Sequence, residues 1–295
     1  FFASLKLYYT MSTFFFKDFG KNAKDIITKD RPLNKQIQVT DNLTPDYQLV
    51  LTAKTRGDEV VADAEFTADV PKIGGDVSVS VDSDAGAEFD ITICDKLAKG
   101  LKLALNVGSS DVVALENQSV SASVEYKYQD KAAVTGKIDF PSGSSTKVDL
   151  SAAVFKNSWA FGLSSSCAIQ QEFAVACDKV SGGVQYNHPE YFVTALAHRS
   201  GAKDVSSEVR YYRKSGDLQI GTEFLYNYTT AATAATVGVA KSCENGVVKA
   251  VVGTSGVVGL SWKKRLDANT EVIVGCNADV QRKEYQVGFN LNVTA

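Results

Sequence analysis

The residue types that carry out covalent chemistry are few in this chain and badly spaced for it. There are two histidines, His188 and His198, and five cysteines, Cys94, Cys167, Cys177, Cys243 and Cys276, with no CxxC pair. Zinc ligation, thioredoxin-like redox chemistry and a disulfide framework need closer or more regular spacing, so the cysteines read as scattered free thiols. GTSGVVG, Gly253 to Gly259, has the glycines of a phosphate loop but not its lysine-hydroxyl ending or a following helix, and reads as a hairpin turn. No triad, metal cluster or nucleotide motif emerges, so no enzyme, cofactor or metal site is expected. What remains is fixed charge. FKDFGKNAKDIITKD, Phe16 to Asp30, sets Lys17, Lys21, Lys24 and Lys29 against Asp18, Asp25 and Asp30. On charge alone this is a modestly cationic, solvated helix face. The whole chain carries a net charge of −3, and a nucleic-acid binder would need a basic stripe instead.

The elements that would position these charges are strands. In YQVGFNLNVT the residues Tyr285, Val287, Phe289, Leu291 and Val293 alternate with Gln286, Gly288, Asn290, Asn292 and Thr294. DEVVADAEFTADV, DVSVSVD, FDITICD, GLKLALNV, SVSASVEYKY, KVDLSAAVF and EVIVGCNADV repeat the pattern. Period two over so many segments predicts strands with one apolar and one polar face. Pro45, Pro71, Pro141 and Pro189 fall at the borders of these runs, where no ladder loses a donor.

No apolar run approaches the roughly 18–20 residues of a membrane helix, which leaves a membrane barrel open. Strands of about 9–11 residues with short turns would fit between about 17 and 24 times into residues 33–295. No linker or composition shift divides that stretch, so it predicts one all-β domain. Alternation does not say whether the apolar face meets lipid or a protein core, since a soluble sandwich uses the same code. Closure removes two costly edges, and Tyr126, Tyr128, Phe140, Tyr226, Tyr228 and Tyr285 stand near run ends as interfacial girdles would. Both features favour a barrel. Residues 1–10, which precede the sole methionine, Met11, read as leader or cloning-derived residues. Residues 11–31 differ from the rest: Phe16, Phe19, Ala23, Ile26 and Ile27 form a helical stripe. That helix would pack on a protein surface or lie inside a barrel with its lysines toward water. Its aspartates count against a presequence.

Three stretches resemble the voltage-dependent anion channels, the eukaryotic porins of the mitochondrial outer membrane. Phe16 to Asp30 is similar to the family's N-terminal helix, and ITICDKLAKGLKL, Ile91 to Leu103, to the strand pair carrying its GLK motif. Lys249 to Ala295 is similar to its last strands. The chain is thereby identified as a divergent member. The resemblance implies a single transmembrane β-barrel of about 19 strands, first and last paired in parallel, with the amphipathic helix in the lumen. It implies passive diffusion of ATP, ADP, phosphate and chloride, with membrane lipids, barrel assembly machinery and further copies of the chain as partners. Lys21 and Lys29 match helix lysines of the family proposed to contact nucleotide phosphates. Lys24 stands where the family usually has arginine, keeping charge without the bidentate fork. Gly259 and Asp279, with Val257, Val258 and Gly275, match a region linked to dinucleotide binding. Gln286, Gly288, Leu291 and Val293 match the sorting signal of mitochondrial barrel proteins.

Alternation assigns Asp63, Glu65, Asp69, Asp90, Glu125, Asp139, Asp149, Glu208, Glu223 and Asp279 to the lumen. The bases so assigned are fewer: Lys54, Lys102, Lys127, Lys137 and Arg210. An acidic wall with the helix as its positive field follows, and selectivity arises from such charges rather than from covalent chemistry. The rival barrel, a protein-import translocase pore, would need a longer N-terminal extension. A soluble β protein would partition into buffer instead of detergent.

Overall fold

A computed structural model of the chain describes residues 13–56, 59–110, 118–142, 145–169, 175–201 and 204–295. The leader 1–10 and Met11 lie outside the described residues. A 3₁₀ turn, Phe16–Asp18, and a helix α1, Lys21–Thr28, precede nineteen strands. The first nine are β1 (Lys35–Thr44), β2 (Tyr47–Arg56), β3 (Glu59–Val70), β4 (Gly75–Asp82), β5 (Ala87–Cys94), β6 (Leu101–Ser109), β7 (Ser119–Tyr128), β8 (Ala132–Pro141) and β9 (Thr146–Lys156). β10 (Trp159–Ile169), β11 (Val175–Asn187), β12 (Tyr191–Ser200), β13 (Asp204–Ser215) and β14 (Leu218–Asn227) follow. The last five are β15 (Ala232–Cys243), β16 (Gly246–Gly253), β17 (Val257–Arg265), β18 (Thr270–Asp279) and β19 (Glu284–Thr294).

Every strand pairs antiparallel with its sequence neighbour, and β1 closes the ring by pairing parallel with β19. Closure leaves no unpaired edge, the condition for a sheet to stand in lipid. Lys35 lies opposite Phe289 and Thr40 opposite Thr294 across the seam. The terminal alternation thus has its explanation: Tyr285 (85% exposed) and Val287 (59%) look outward, while Gln286 reaches inward to the Leu33 carbonyl at 3.0 Å. Val79, Phe89, Leu105, Val124, Leu150 and Leu163 are exposed in the same outward sense. A protein core would have buried them, so this apolar face is a lipid face. Among the described residues no helix is long and apolar enough to cross a membrane.

The buried hydrophobic cluster belongs to the N-terminal segment and the wall beneath it. Phe16 and Phe19 pack with Ala153, Ala160 and Leu196, and Phe14 and Phe155 close over them. GTSGVVG is the hairpin turn between β16 and β17, with Gly256 donating to the Gly253 carbonyl.

Candidate functional site

The site is the lumen and the segment lodged in it. The segment is shorter in helix than the stripe predicts. Phe16–Asp18 is a 3₁₀ turn, Gly20 sits in the left-handed region at φ 69°, and α1 begins only at Lys21. The break is held by the wall. The Phe19 carbonyl accepts from Arg210 Nη1 at 3.0 Å, and the Gly20 N–H donates to Gln185 Oε1 at 2.8 Å. Thr194, fully buried, donates to the same Gln185 oxygen at 2.8 Å and fixes it. Two backbone groups that a continuous helix would have used internally are satisfied from the barrel instead.

Beyond the break, Ala23, Ile26 and Ile27 are buried against the inner face of β14 and β15. Gly221 and Gly238 are register partners there. A β-carbon on Gly221 would lie 2.7 Å from the Ala23 carbonyl oxygen, and one on Gly238 would lie 3.0 Å from Ile26 Cγ2. Only glycine lets the helix backbone come so close. Burying each isoleucine is worth roughly 1.5–3 kcal/mol, enough to seat a helix too short to be stable alone.

Charge holds the other end. Asp30 takes Lys249 at 2.8 Å and Lys263 at 3.9 Å, and Lys263 also meets Glu271 at 2.9 Å. Arg31 donates to the Ile27 carbonyl at 2.7 Å and to Asn277 on β18. At the near end Lys17 pairs with Glu125 at 2.6 Å. Arg210 lies between Glu208 and Glu223, 3.0 Å from the latter, with His198 3.7 Å from Glu208. The wall therefore meets the segment with opposite charge at its two ends, at Lys17 and at Asp30.

The expected site residues are scattered rather than convergent. Lys21 pairs with Asp18 at 3.4 Å and Lys29 with Asp25 at 3.2 Å, all four within the segment. Lys24 is exposed and lines a luminal cavity of about 840 Å³ with no ion pair among the described residues. Lys102 lies on the luminal face of β6 beside Glu125, its register partner. Gly259 lies beneath the Arg31 guanidinium, and Gly275 beneath Pro32. Asp279 accepts from the Gln281 and Arg282 N–H groups at 3.0 Å each, capping the turn between β18 and β19. Gln286 and Gly288 face the lumen, and Gly288 admits the Pro32 and Asn34 carbonyls, to which a β-carbon would come within 2.6 Å. Leu291 and Val293 stand on the lipid face. Among the described residues no group of potential metal ligands forms.

Register places every acid and base assigned by alternation on the luminal face, and adds the lysines Lys147, Lys179, Lys214, Lys249 and Lys263 and the acids Asp76, Asp82, Glu88 and Glu271 that sequence reasoning missed. Lys147 opposes Asp139, Lys179 opposes Ser166, Lys249 opposes Ser261 and Lys263 opposes Val247. Lys249 hides in the run GVVKAVVG because its luminal neighbours Val247 and Val251 are apolar. With these lysines counted, the covered wall is less acidic than the alternation suggests. The cysteines also need correcting: Cys167 and Cys177 are not scattered, but direct cross-strand partners.

The sequence model of the family described as eukaryotic porin matches residues 13–288. No curated protein matches the chain. Among solved structures, a mutant of the porin of Rh. blastica is 9% identical with a TM-score of 0.51, covering 88% of this chain and 95% of that one. A triple mutant of the Rhodopseudomonas blastica porin is similar at 9% identity and TM-score 0.44, with 88% and 95% covered. At such identity the likeness of the first concerns the fold: a porin-type barrel.

Proposed function

The chain belongs to the eukaryotic porin family, and from that premise we propose that it is a voltage-dependent anion channel of the mitochondrial outer membrane. It passes ATP, ADP, phosphate, chloride and other small hydrophilic solutes by diffusion. The observation that carries this reading is a closed nineteen-strand ring narrowed by one wall-hugging helix. A barrel this wide keeps water in its middle because side chains cannot fill it. Residues 11–31 serve as the pore segment and residues 33–295 as the wall.

Lys24, without an ion pair among the described residues, and Lys21 and Lys29, exposed on the same segment though each is paired with an aspartate, offer ammonium groups that attract a phosphate and release it again. Lys102, Gly259 and Asp279 lie away from that group, so a permeating nucleotide meets them in succession and not together. Gln286, Gly288, Leu291 and Val293 act before folding, as the strand signal read by the barrel assembly machinery. Lipid and neighbouring copies of the chain contact the outer face.

The test is conductance in a planar bilayer in molar KCl, with and without ATP. Stepwise openings that fall at raised voltage and are reduced by ATP support the reading. A silent bilayer contradicts it. A pore blocked by an unfolded presequence but indifferent to ATP marks an import barrel instead.

A further inference from the structure

Cys167 and Cys177 face each other near the end of the β10–β11 hairpin, with their sulfurs 2.7 Å apart. The sequence hides this. Counting by twos from luminal Lys179 puts Cys177 on the inside. The ladder instead runs Ser166 to Lys179 and then Cys167 to Cys177, so Asp178 is an extra residue and the strand bulges. The bulge turns Cys177 to the outer side, where Cys167 follows Leu163 and Ser165 along β10. The Ser165 hydroxyl lies 3.4 Å from one sulfur and 3.6 Å from the other. Cys167 is two residues from the end of its strand, and Cys177 lies past Lys179, where the ladder to β12 ends at Ser200, which puts the pair at the rim of the barrel, within reach of water. The other cysteines have no thiol opposite them: Cys94 faces Lys102, Cys243 faces Gly246, and Cys276 lies between Leu260 and Val287.

We propose that Cys167 and Cys177 are a redox-modification site, a dithiol that a small disulfide of the glutathione type converts reversibly into a cross-strand disulfide. Directly opposed residues of an antiparallel pair stand about 4.5–5.5 Å apart at Cα, inside the range a disulfide spans. The more exposed Cys177 thiolate attacks one sulfur of the small disulfide, forming a mixed disulfide and expelling one small thiolate. The Cys167 thiolate then attacks Cys177 Sγ, the protein disulfide forms, and the second small thiolate leaves. Two cysteines are oxidised, one small disulfide is reduced, and the two cysteine protons end on the two small thiols. The product fixes the bulge register, and with it the place of Lys179 in the luminal cavity.

The experiment treats the full chain, folded in detergent, with oxidised glutathione, then alkylates, digests and maps the cysteines by mass spectrometry. The expected product is one intramolecular Cys167–Cys177 link that dithiothreitol reverses. It should persist in the C94S/C243S/C276S variant. In Cys167→Ser the reaction should stop at one glutathionyl group on Cys177. Both thiols still free to alkylate in the wild type, or links running to other cysteines or between chains, would overturn the assignment.

Discussion

The two sides of the lumen are built to different rules. Under the N-terminal segment, from β9 to β19, the wall presents alanine or glycine where the chain touches it and the bases Lys249 and Lys263 where the segment offers Asp30. Across the lumen, β3 to β5 carry Asp63, Glu65, Asp69, Asp76, Asp82, Glu88 and Asp90 on their inner faces. Of these, among the described residues only Asp63 meets a base, Lys54 at 2.8 Å. A wall that holds a polypeptide must give up side-chain volume and pair its charges, because both partners lose water. A wall that faces water needs neither, and its unpaired acids are available to steer ions.

That contrast can be broken from either side. Short of removing the segment, the largest effect on the pore should come from Gly221→Val with Gly238→Val, which puts side chains where the helix lies. The helix should leave the wall, and trypsin should cut after Lys21, Lys24 and Lys29 at least several-fold faster than in the wild type in nanodiscs. Next is Arg210→Met, which strips the clamp from Phe19 and leaves Glu208 and Glu223 without their shared partner. Thermal unfolding in detergent should register a loss of about 3–5 kcal/mol, the usual cost of breaking a buried pair from one side. A smaller effect is electrical: Glu65→Gln, Asp69→Asn and Asp90→Asn together should move the reversal potential in asymmetric KCl toward chloride. Glu271→Gln, on the covered side and already paired with Lys263, should hardly move it. The smallest is Lys24→Gln, a slight shift toward cations with weaker block by ATP.

How much of this was legible beforehand follows from what each side touches. The bare arc obeys strict alternation because lipid and water impose it, so DEVVADAEFTADV and DVSVSVD give away both their faces. The covered arc does not, because its luminal neighbours are protein. Val247 and Val251 face inward and still are apolar, and that concealed Lys249 between them. Luminal glycines at Gly221 and Gly238 were a usable sign, since glycine weakens a strand unless something approaches it closely. The break at Gly20 depends on Arg210 and Gln185, each more than 160 residues away, and no local pattern encodes it. The Cys167–Cys177 pair needed a bulge, which period-two counting cannot see.

The cationic segment is expected to balance an acidic wall. That balance is tested most directly by reversal potentials in asymmetric KCl for the full chain and for a chain lacking residues 13–31. From Lys17 to Arg31 that segment holds five basic and three acidic residues. The full chain should show weak preference for chloride, and the truncated chain should prefer potassium. Strong chloride preference that survives the deletion would contradict the account.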